Sequence, residues 1–81
     1  MNQQKEIKLA ELTIDSIWEN RQQNEGEKKA LEEMEGFINE ILGNSRLGEE
    51  RYDVVFACYT RLLRHYPEHK AAKAFRVSYA E

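Results

Sequence analysis

The chain has 81 residues, enough for one small domain and nothing larger. Hydrophobic residues make up 41% and charged residues 33%, a mix that suits a soluble globular chain and excludes a disordered one. Four Gly and one Pro exclude a collagen-like or linker sequence, and a single Cys excludes both a disulfide scaffold and a cysteine-based zinc site.

The first periodic segment covers about residues 5–22. Ile7, Ala10, Ile14, Ile17 and Trp18 follow the spacing of one helical face. Leu9 and Leu12 widen that stripe, which predicts neighbours on two sides. Asn24-Glu25-Gly26-Glu27 reads as a turn into a second helix, with Asn24 as its cap and Glu27 in capping-box register. The second helix presents Ala30, Leu31, Met34, Phe37, Ile38, Ile41 and Leu42 on one face and Glu32, Glu33, Glu35 and Glu40 on the other. Gly36 costs about 1 kcal/mol against Ala inside such a helix and suggests a close helix crossing. Gly43-Asn44 stops the helix, and residues 44–48 form a loop.

Glu49 and Glu50 suit the positive end of a third helix, whose predicted face is Tyr52, Val55, Phe56, Tyr59, Leu62, Leu63 and Tyr66. Phe56 is expected to sit between helices two and three. Pro67 ends the third helix and is expected to open a fourth as its first residue. Ala71, Ala72, Phe75 and Tyr79 give that helix a narrow face. The predicted fold is all-α: a small antiparallel bundle of three main helices and a shorter C-terminal one, over residues 1–81 as one domain.

Charge is unevenly placed. Residues 1–50 hold six Lys/Arg against twelve Asp/Glu, a net of −6, and residues 51–81 hold six against three, a net of +3. Six of the eight aromatics also follow residue 51, so an internal duplication is not expected.

Residues 52–75 resemble the second helix of a tetratricopeptide (TPR) repeat running into the next unit. The resemblance is carried by Tyr52, Tyr59, Leu62-Leu63 and Pro67, with Leu42-Gly43 at the place of the family's Leu-Gly pair. Val55 and Leu62 stand where that family places small residues, and Asn39 and Arg46 where it places aromatics. The resemblance implies a helical hairpin with a surface for binding protein segments.

Candidate chemistry is sparse. His65 and His69 are four apart but straddle Pro67, and with Cys58 two turns earlier they form the only metal-like set; the competing reading is a surface His pair and a packed thiol. Cys58 lies mid-helix, without the helix N-terminus or cation that activates a nucleophile. No catalytic carboxylate pair, Ser-His-acid set or phosphate loop is present. No cofactor is therefore expected.

The function expected is a non-enzymatic protein–protein interaction module, a small adaptor or regulator that binds a protein partner and self-associates as a homodimer. So short a chain buries only about two-thirds of its unfolded surface, which favours docking or oligomerisation. The contact candidates are Ile14, Ile17, Trp18, Tyr66 and Tyr79. The alternative is a nucleic-acid-binding regulator using Arg61, Arg64, Lys70, Lys73 and Arg76. No secretory h-region opens the chain and no apolar run approaches the ~20 residues of a membrane span, so a cytoplasmic location is expected.

Overall fold

The computed structural model describes residues 3–23 and 26–80. Four α-helices pack together: α1 (Gln3–Glu19), α2 (Glu27–Leu42), α3 (Glu50–His65) and α4 (Lys70–Ala80). A 3-10 turn, Ser45–Leu47, lies between α2 and α3. No strand occurs among the described residues. Among the described residues no helix is long and apolar enough to cross a membrane.

The core follows from which apolar stripes meet. Ile14, Met34, Ile38, Val55, Cys58 and Leu62 are its largest fully enclosed side chains, one from α1, two from α2 and three from α3. α3 packs against the other three helices, and α1 also packs against α2. From α4 only Ala72 reaches the core cluster. Such a small side chain lets α4 approach α3 closely, but it contributes little apolar area.

Several local expectations change. α2 is preceded by Gly26 at φ +97, a backbone conformation suited to glycine, and has no side-chain cap; the expected cap, Asn24, lies outside the described residues. Gly36 mediates no close crossing, because a Cβ there would meet nothing within 4 Å. The loop after α2 contains the 3-10 turn, capped by Asn44, whose Oδ1 accepts from the Arg46 N–H at 3.1 Å.

Pro67 does not open α4. The helix begins at Lys70, and His69 caps it: the Ala72 N–H donates to His69 Nδ1 at 3.1 Å. The residues between Tyr66 and His69 form the turn that proline imposes. α3 is also rotated from its expected setting. Val54 and Cys58 are buried and Tyr52 is exposed. Phe56 does not enter the seam with α2; it stacks on Tyr79 of α4 at 4.8 Å.

Candidate interaction surface

α1 carries two apolar stripes, and only one is used by the fold. Ala10 and Ile14 are buried, with Ile7, Ile17 and Trp18 packed against the core. Leu9 and Leu12 are 55% and 54% exposed. Leu9 stands at the lip of an open groove of about 270 Å³ between α1 and α2. Ala10 and Thr13 of α1, Phe37 and Ile41 of α2, Leu47 of the 3-10 turn and Val54 of α3 complete its apolar lining. Glu6 is the one carboxylate there, and its Oε2 has no hydrogen-bond partner among the described residues.

A polar and aromatic cluster sits at the other end of α1. The Arg61 guanidinium reaches from α3 to Asp15 at 3.0 Å and Glu11 at 3.3 Å, tying α3 to α1. The His65 ring stacks on Trp18 with centroids 4.3 Å apart, and Tyr66 meets the same indole edge-on at 5.6 Å. The Arg21 guanidinium lies 3.8 Å from the Trp18 ring centroid, a cation–π contact, while Nη1 donates to the Trp18 carbonyl at 2.8 Å. Burial, ahead of any charge, holds the His65 pKa below its usual value; Arg21 and Arg61 act the same way, and Asp15 opposes them. The Tyr66 hydroxyl donates to the Glu27 carbonyl at 2.6 Å. Burial and then the Glu27 carboxylate raise its phenol pKa, which keeps that donor protonated.

The expected contact residues therefore separate. Ile14 is fully enclosed by the chain's own core and offers no surface. Ile17 is half-buried against the core, and Trp18 and Tyr66 are half-buried in the cluster just described. Tyr79 is 41% exposed and stacks on Phe56 and Phe75. Leu9 and Leu12, noted in the sequence only as a widening of the stripe, are the exposed apolar pair of α1.

The basic residues do not form one stripe. Arg61 faces α1, whereas Arg64 is exposed. Lys73 pairs with Glu68 at 3.6 Å, and Arg76 lies over the Phe56 ring at 5.4 Å. His69 turns inward, with Nε2 2.7 Å from Glu35 Oε2. The two histidines point to different partners, and no group of three metal-ligating side chains occurs among the described residues. Cys58 is buried, and burial, reinforced by Glu11, raises its thiol pKa to about 12. At neutral pH that thiol is protonated and enclosed.

No family model, curated protein or solved structure matches the chain.

Proposed function

We propose that this protein is a non-enzymatic interaction module of the cytoplasm, a small adaptor or regulator that engages other helices through its own helical faces and self-associates. The observation that carries the reading is the unpartnered apolar face of α1 beside the α1–α2 groove. A groove between two helices, floored by Val54 and walled by Phe37 and Ile41, suits the apolar stripe of an incoming helix. Short connections between helices of 17, 16, 16 and 11 residues accord with an antiparallel bundle that leaves this face outward. The TPR-like hairpin at residues 52–75 is the second helical element of the proposal, although the exposed apolar pair lies on α1.

The nucleic-acid alternative draws on fewer groups than the sequence offered. Arg61 is engaged by Glu11 and Asp15, which leaves Arg64, Lys70, Lys73 and Arg76 as its cations. Affinity capture from the native cell tests the choice, with wild type compared with a Leu9→Glu/Leu12→Glu chain and each lysate split for nuclease treatment. The expected result is a partner that survives nuclease, is lost with the substitutions, and binds as a recombinant protein in calorimetry. Partners retained by the substituted chain, or lost only on nuclease treatment, would overturn the reading.

A further inference from the structure

The exposed face of α1 has a seam of its own. Lys5, Leu9, Leu12, Ser16 and Glu19 follow a 4-3-4-3 spacing, the spacing of a helix–helix seam, and all five are exposed. The register differs from that of Ala10 and Ile14, so this row points away from the core. The row is also polarised. Lys5 and Lys8 stand in its first two turns and Glu19 at its end, and none of the three forms an ion pair among the described residues.

We propose that a second copy of this chain occupies this face, α1 against α1 and antiparallel about a two-fold axis. In that arrangement Leu9 of each copy faces Leu12 of the other, which gives two central apolar layers. The basic first turn of each α1 then lies over the Ser16–Glu19 turn of the other copy, so each end brings Lys5 within one turn of Glu19. A parallel pairing would instead set Lys5 against Lys5 and Glu19 against Glu19. The polarity of the row therefore selects the antiparallel form. The open groove next to Leu9 admits the side chains of the second helix against Phe37 and Ile41.

The proposal rests on the reading of this face as an interaction surface and adds its occupant and direction. Sedimentation equilibrium on the full chain tests it, at low salt and up to about 100 µM, above the micromolar constant expected of so small an interface. Wild type is expected to dimerise, and Leu9→Glu/Leu12→Glu to remain monomeric with an unchanged helical spectrum. Lys5→Glu alone and Glu19→Lys alone are each expected to weaken the dimer by about tenfold. The double variant Lys5→Glu/Glu19→Lys is expected to restore it, and an equimolar mixture of the two single variants to form heterodimers. Failure of the double variant to recover would overturn the antiparallel arrangement, since only there do residues 5 and 19 meet. A wild type that stays monomeric overturns the second copy as occupant. If the same chain still loses an identified partner on Leu9→Glu/Leu12→Glu, the interaction reading survives that result.

Discussion

His69 caps α4 with one ring nitrogen and reaches α2 with the other. Because the Ala72 N–H donates to Nδ1, that nitrogen is the acceptor and Nε2 carries the proton donated to Glu35. One side chain thus satisfies an orphan helix donor and links two elements 34 residues apart in sequence. His65, four residues earlier, is stacked on Trp18 instead, and its depressed pKa has a consequence for stability. The unfolded chain binds a proton at His65 near pH 6.5, whereas the folded chain resists it until lower pH. Between those points the unfolded state holds more protons, so the stability linked to His65 is complete above about pH 6.5 and declines as pH falls below it. Thermal melts of wild type and His65→Gln between pH 7.5 and 5 check the sign. The wild type is expected to lose more of its melting temperature on acidification than the variant does.

At the scale of the element, α4 is held on α3 by Ala72 in the core and by a row of aromatic contacts beside it. Phe56 stacks on Tyr79 at 4.8 Å, Tyr79 on Phe75 at 5.9 Å, and Phe75 meets Tyr59 at 5.3 Å. Phe56 is only half-buried, so Phe56→Ala is expected to cost about 2 kcal/mol, less than the removal of an enclosed ring. Urea unfolding measures this, and hydrogen exchange should show the added opening concentrated in residues 70–80. The four helices themselves are legible in the sequence, because each combines a 3.6-residue stripe with a punctuating Gly or Pro. The setting of α3 is not. Tyr52, Val55, Phe56, Tyr59 and Leu63 form a continuous stripe on paper, but α3 packs against α1, α2 and α4 alike, and Phe56 and Tyr59 meet the aromatics of α4. A stripe broad enough for several neighbours does not say which flank each one takes. Arg61 shows the same limit: its carboxylate partners on α1 lie 46 residues or more away, and no local spacing announces them.

The molecule as a whole rests on three helices whose faces differ sharply over short distances. Ile14 and Leu12 are two residues apart on α1, both aliphatic, and both members of the broad stripe seen in the sequence. Ile14 has no exposed surface, whereas Leu12 is 54% exposed. From the sequence alone Ile14 counts among the contact residues, because the inner and outer stripes of α1 share the same helical period. Only the position of α3 decides which stripe is enclosed. A domain of this size has a total stability of about 4–12 kcal/mol. Ile14→Ala empties a fully enclosed site and is expected to remove about 2–5 kcal/mol of it. Leu12→Ala, measured in dilute solution where the chain is monomeric, is expected to change stability by no more than about 0.5 kcal/mol. At high concentration the ranking narrows, because a dimer that buries Leu12 adds stability by mass action and Leu12→Ala forfeits that gain. Urea midpoints for wild type and both variants, taken at low and high protein concentration, separate the two roles. Ile14→Ala should lower the midpoint at both concentrations. Leu12→Ala should leave it near the wild-type value when dilute and below it when concentrated. Equal costs for the two substitutions in dilute solution would mean that Leu12 belongs to the core and that the outer stripe of α1 is not a free face.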